Sequence, residues 1–168
     1  MSLKAAANAV VTRDALITGE VTIGEETLVH PGAQIIAEAG PIEIGAECEI
    51  QELAVIRNTR PEKMVIGSKN VFEVGATVEA KSIGDGNVFA ARSFVGSKVA
   101  VTDRCVVGVT VRVEDEEELG PGTVTWVDSR AVGRGHRVVP TREGPGLLYT
   151  QQLKKLLAMI PKYNELIA

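Results

Sequence analysis

Aliphatic or phenylalanine side chains recur every six residues along most of this chain. From Ile66 they fall at Phe72, Val78, Ile83, Phe89, Val95, Val101, Val107, Val113 and Leu119, with one interval of five between Val78 and Ile83. The same beat runs earlier through Val11, Ile17, Ile23, Val29 and Ile35, then Ile44, Ile50 and Ile56. A helical period of 3.6 would scatter these side chains around an axis. Hexads taken in threes, as the sides of a triangular prism, put them all inside, so the spacing predicts an all-β solenoid, a parallel β-helix of about six to seven coils.

Grouping in threes gives three columns. The first is Val11, Val29, Ile50, Phe72, Phe89 and Val107; the second is Ile17, Ile35, Ile56, Val78, Val95 and Val113; the third is Ile23, Ile44, Ile66, Ile83, Val101 and Leu119. Every irregular interval then falls between columns two and three, so one corner of the prism absorbs all of them. Small residues fill the expected inward corners: Ala15, Ala33, Ala54, Ala76, Ser93 and Val111 after column one, and Thr27, Cys48, Asn70, Asn87, Cys105 and Thr123 after column three. Asn70 and Asn87 fall on adjacent coils, where buried amides satisfy each other as a ladder.

The outward residues before column one are Val10, Leu28, Glu49, Val71, Val88 and Val106, an apolar face that needs a cover. The pattern supplies one. Tyr149, Leu153, Leu156, Leu157 and Ile160 recur at helical spacing between Gln151, Gln152, Lys154 and Lys155. Pro161 is expected to stop or kink this helix, with a further turn through Tyr163, Leu166 and Ile167. A single domain follows: residues 1–127 as β-helix, 128–146 as an irregular Gly-, Pro- and Arg-rich arm, and 147–168 as a C-terminal amphipathic helix folded back onto the rod. Its docking face is expected at Leu28, Val71, Val88 and Val106, met by Leu153, Leu156 and Leu157.

Hydrophobic residues make up 45% of the 168, but aromatics only 4%, so small aliphatics fill the interior of a narrow rod. A net charge of −4 argues against a nucleic-acid binder. No apolar run reaches membrane-spanning length and the N-terminus carries no convincing signal peptide, so a cytosolic protein is expected.

Hexapeptide β-helices host acyltransferases with a catalytic histidine and zinc carbonic anhydrases with three histidine ligands. This chain has two histidines, His30 and His136. His30 reads as a solvated surface residue, and no catalytic, metal or cofactor site is expected. Cys48 and Cys105 sit three coils apart, roughly 14 Å at strand spacing, too far for a disulfide. They read as inert buried thiols. The glycines of Gly84-Asp85-Gly86 read as positive-φ corners rather than a phosphate loop. The acidic run Glu114, Asp115, Glu116, Glu117 and Glu118 reads first as a solvated corner and second as a docking patch for a basic partner. Arg130, Arg134, Arg137 and Arg142 in the arm carry the opposite charge.

The segments HPGAQIIAEAGPIEIG (His30 to Gly45), VIGSKNVFEVG (Val65 to Gly75) and IPKYNELI (Ile160 to Ile167) closely resemble the dynactin subunit 6 family, and the resemblance spans Val11 to Ile167. The insert at Ala39-Gly40-Pro41-Ile42 and the terminal Pro-x-Tyr-Asn are its most specific marks. The loop from Arg57 to Val65 is shorter than in animal members, and the polar tail of those members does not follow Ala168. The resemblance implies a left-handed coil and a non-catalytic structural subunit of the dynactin pointed-end complex, cytoplasmic and associated with the cytoskeleton. It implies as partners dynactin subunit 5 (a paralogous β-helix), dynactin subunit 4 and a pointed-end actin-related protein, with dynein and its cargo adaptors engaged indirectly. The alternative from the repeat alone is a hexapeptide-repeat enzyme, an acyltransferase or a γ-class carbonic anhydrase.

Overall fold

The computed structural model describes residues 2–114, 116–127, 134–138 and 147–163, and side chains for 2–114, 116–127 and 152–160. Three sheets form the walls of a prism of about seven turns, with each strand hydrogen-bonded to its equivalent on the coils above and below. The first wall runs in register through Val11, Val29, Ile50, Phe72, Phe89 and Val107. The second runs through Ile17, Ile35, Ile56, Val78, Val95 and Val113. Ile23, Ile44, Ile66, Ile83, Val101 and Leu119 line the third. These are the predicted columns, and all of them are buried in one core. Within it the Phe72 and Phe89 rings stack, with centroids 4.9 Å apart.

The corners explain why hexads are obligatory. At the corner after column three, one residue per coil takes a left-handed conformation: Glu26, Glu47, Lys69, Gly86, Arg104 and Gly122, with φ between 52 and 73°. After column one the equivalent residues are Gly32, Leu53, Gly75, Arg92 and Thr110, with φ between 56 and 74°. A single residue there turns the chain through the corner, so the length of these two corners is fixed. The corner after column two has no such constraint beyond Gly19. Strands Gln34–Ala37 and Val55–Asn58 run on into it.

Buried Asn58 organises that irregular corner. Its Nδ2 donates to the carbonyls of Pro41 at 3.1 Å and Glu62 at 2.8 Å, and its Oδ1 accepts from the Arg60 amide at 3.1 Å. Gly40 is pressed against the same loop, where an added Cβ would lie 2.6–2.8 Å from the carbonyl oxygens of Arg60, Pro61 and Glu62.

The glycines after column three have a different cause from the one expected for Gly84. Gly24, Gly45, Gly67 and Gly84 stack coil on coil; a Cβ at Gly84 would come within 2.6 Å of the Thr102 carbonyl oxygen. Close approach requires this glycine, whereas Gly86, with φ 69°, supplies the left-handed turn. Between them Asp85 Oδ1 accepts from the Ser68 amide at 2.7 Å, and Asp103 Oδ1 accepts from the Asp85 amide at 2.7 Å. The segment is part of a carboxylate–amide ladder.

Two strands lie beyond the hexads. Ser2–Ala5 adds to the third wall in register with Glu20–Ile23. Arg134–Val138 pairs antiparallel with Thr123–Val127 and closes the first wall as a hairpin, so the arm is not wholly irregular. The C-terminal helix, α1 (Leu147–Tyr163), continues through Pro161 rather than stopping there. Ile160, one residue earlier, is buried on the rod, and that anchorage holds the final turn. Leu166 and Ile167 fall outside the described residues.

Candidate functional site

The first wall carries the most unusual outer surface. Side chains that point outward from a solenoid usually meet water, yet here Val10, Leu28, Glu49 and Val71 are buried. Val10 and Leu28 form a second apolar cluster with Leu153 and Ile160 of α1, with Leu156 and Leu157 packed at its margin. Full burial of such side chains contributes about 1.5–3 kcal/mol each. Packing of its amphipathic face is the main support of such a helix, here of 17 residues. Val71 is buried, and Val88 and Val106 are half-buried, but none of the three belongs to this cluster. The helix sits toward the N-terminal coils.

His30 and Glu49 lie beside this cluster. His30 is only 6% exposed, contrary to the solvated residue expected. Its Nδ1 lies 3.1 Å from Glu52 Oε1, and its Nε2 lies 3.3 Å from Glu49 Oε1, off the line of a hydrogen bond. Glu49 is 2% exposed and also accepts from Gln51 Nε2 at 3.1 Å. Burial pulls the His30 pKa down most strongly, but Glu49 and Glu52 together pull it up further, so it lies above the ordinary 6.5. A signal for this pair was present in the sequence: a carboxylate in an apolar column requires a cation or donor on a neighbouring coil, and His30 is one.

The acidic corner is largely solvated. Glu114, Glu116 and Glu118 are exposed and Glu117 is half-buried; Asp115 lies outside the described residues. Lys81 Nζ meets Glu116 Oε1 at 3.2 Å, and Arg112 pairs with Glu114 while lying 4.2 Å above the Phe94 ring. Arg130 and Arg142 lie outside the described residues, and Arg134, Arg137 and His136 sit on the closing strand, where only backbone is described.

Cys48 and Cys105 are free and buried. Burial pushes the Cys48 thiol up to about 11 and raises that of Cys105, so neither is a reactive thiolate. Among the described residues, no group of three or more His, Cys, Asp or Glu is arranged to hold a metal ion. A cleft of about 210 Å³ lined by Glu20, Ala37, Glu38 and Gly40 is below the usual size of a small-molecule site. No described helix is long and apolar enough to cross a membrane.

No family model matches the chain. Among solved structures, a hexapeptide transferase family protein from Anaplasma phagocytophilum superposes with a TM-score of 0.78 at 17% identity, covering 96% of this chain and 92% of that one. A putative acetyltransferase from Bacillus cereus gives a TM-score of 0.59 at 15% identity, covering 93% and 86%. At such identities the likeness is one of fold alone. Curated relatives are much nearer in sequence. Dynactin subunit 6 of Danio rerio is 41% identical, covering 98% of this chain and 87% of that protein. The Xenopus tropicalis subunit is 39% identical over 98% and 84%, and that of Nematostella vectensis 40% over 98% and 91%. On this near-full-length identity, together with the hexapeptide-repeat β-helix, the chain belongs to the dynactin subunit 6 family.

Proposed function

We propose that this chain is a non-catalytic structural subunit of the dynactin pointed-end complex, cytoplasmic and associated with the cytoskeleton. In this reading it pairs with dynactin subunit 5, lies beside dynactin subunit 4 and the pointed-end actin-related protein, and helps dynein–dynactin engage cargo adaptors. The observation that carries the reading is the 39–41% identity to dynactin subunit 6 proteins over 98% of the chain. The rod itself suits a scaffold. Its interior is filled by one cluster of buried hydrophobic side chains, and His30 is held between two carboxylates at 6% exposure. The acidic corner, Glu114 to Glu118, is the proposed docking patch for a basic surface of a neighbouring subunit.

Purification of the tagged chain from its own cells tests this. Dynactin subunits 5 and 4 and the pointed-end actin-related protein should co-purify and co-sediment with it as one large particle. Recovery of the chain free of every dynactin subunit overturns the reading, as does turnover by the purified protein in acyl-transfer or CO₂-hydration assays. For the corner, Glu116→Lys with Glu118→Lys, both exposed, should change the melting temperature little and weaken one partner in a salt-dependent way. Binding that is unaltered to all pointed-end partners returns the corner to a solvated loop.

A further inference from the structure

The corner between the first and second walls exposes an apolar crest. Leu53 is 63% exposed, Val109 59% and Val74 42%, with Pro31 and Ala91 half-buried on neighbouring coils. Leu53 is the most telling. It takes the left-handed conformation, φ 60°, where the equivalent residues on neighbouring coils are Gly32 and Gly75. A leucine suits neither that backbone nor so much water. The other walls differ. Helix α1 lies on the first, and the outward residues of the third include Thr22, Glu43, Ser82 and Glu118, all exposed.

We propose that this crest is a self-complementary surface on which two copies of the chain pair antiparallel, with the two-fold axis between Val74 and Gly75. Coils repeat at about 4.8 Å, so a dyad at the fourth coil sets the third coil against the partner's fifth and the second against its sixth. Two matches follow from that one register. Leu53, large, faces Ala91, small. Glu52, half-exposed with Oε1 on His30 Nδ1, faces Arg92, which is exposed. A parallel pairing would set Glu52 on Glu52 and Arg92 on Arg92, so charge selects the antiparallel arrangement. The crest is roughly 20 Å long, which places the pair among small, weakly held interfaces. The inference is independent of which larger complex the chain joins.

Sedimentation equilibrium of the purified full chain, from about 10 to 500 μM, is the test, since weak pairs of this size dissociate in the micromolar range and above. The wild type should rise from 17.8 kDa toward twice that mass. Val74→Arg sets like charges on either side of the axis and should weaken pairing at least tenfold while leaving the melting temperature unchanged. Glu52→Lys and Arg92→Glu should each weaken it, and the double reversal should restore it. A wild type that stays monomeric throughout overturns the proposal, even if it binds the paralogous β-helix through Val74. Pairing indifferent to Val74→Arg, or unrestored in the double reversal, overturns it equally.

Discussion

Asn87 donates from Nδ2 to Asn70 Oδ1 on the preceding coil at 3.0 Å, inside a fully buried corner. The same oxygen accepts the Asn87 backbone amide at 2.9 Å, and Asn70 Nδ2 donates to the Gly84 carbonyl at 2.8 Å. One side chain thus satisfies three polar groups of the next coil. Asn70→Ala leaves a buried amide and a carbonyl without these partners. It should cost about 2–4 kcal/mol, read as a lower urea midpoint at unchanged slope. A shift under about 0.5 kcal/mol, the scatter of neutral surface changes, would show that the ladder is dispensable.

The glycine stack admits an equally direct test. A Cβ at Gly45 would lie 2.7 Å from the carbonyl carbon and oxygen of Gly67. Backbone cannot rotate away as a side chain can, so Gly45→Ala should force adjacent coils apart and cost at least about 2–3 kcal/mol. Alanine at Gly32, which has φ 74° but would meet nothing nearer than Leu53 Cδ2 at 3.5 Å, should cost less, since only the backbone preference opposes it. The reverse order in thermal melts would contradict this account of the two kinds of glycine.

His30 gives a pH dependence of known sign. Its folded pKa lies above 6.5, its unfolded value, because Glu49 and Glu52 outweigh burial. The stability it contributes is therefore fully present below 6.5 and lost as pH rises through the folded value. Melting temperatures should fall across that interval in the wild type and stay flatter in His30→Gln. An NMR titration placing the ring below 6.5 would reverse the sign and refute the prediction.

Leu153→Asp should undock α1. Its side chain is 2% exposed against Val10 and Leu28, and a carboxylate there is buried without a partner. The helical circular-dichroism signal should drop while the β signal and the core melt persist, because the solenoid core is a separate cluster. Simultaneous loss of both signals would mean that the helix is integral to the rod.

How far the sequence carried depended on locality. The three columns were legible because each hexad side chain faces the same interior, and the register of neighbouring coils follows from spacing alone. The Asn70–Asn87 ladder was legible for the same reason. The strand Ser2–Ala5 was not, since Leu3, its one large aliphatic, packs against the core out of step with the six-residue beat. Arg134–Val138 has no alternation of apolar and polar residues; its pairing comes from a hairpin, not from a buried face. His30 was misread because its partners, Glu49 and Glu52, stand on the next coil. Outward residues take their environment from whatever covers them.

The hydrogen bonds between coils run along the length of the rod, while the covalent chain winds across it. That makes the molecule mechanically anisotropic. Tension applied between its two ends loads one coil's bonds at a time and peels turns away in sequence, each step releasing a single coil's worth of chain. A force applied across the rod pulls instead on backbone already extended within a strand. A scaffold of this kind bears load best when its neighbours grip its flanks, and yields gradually when they pull on its tips.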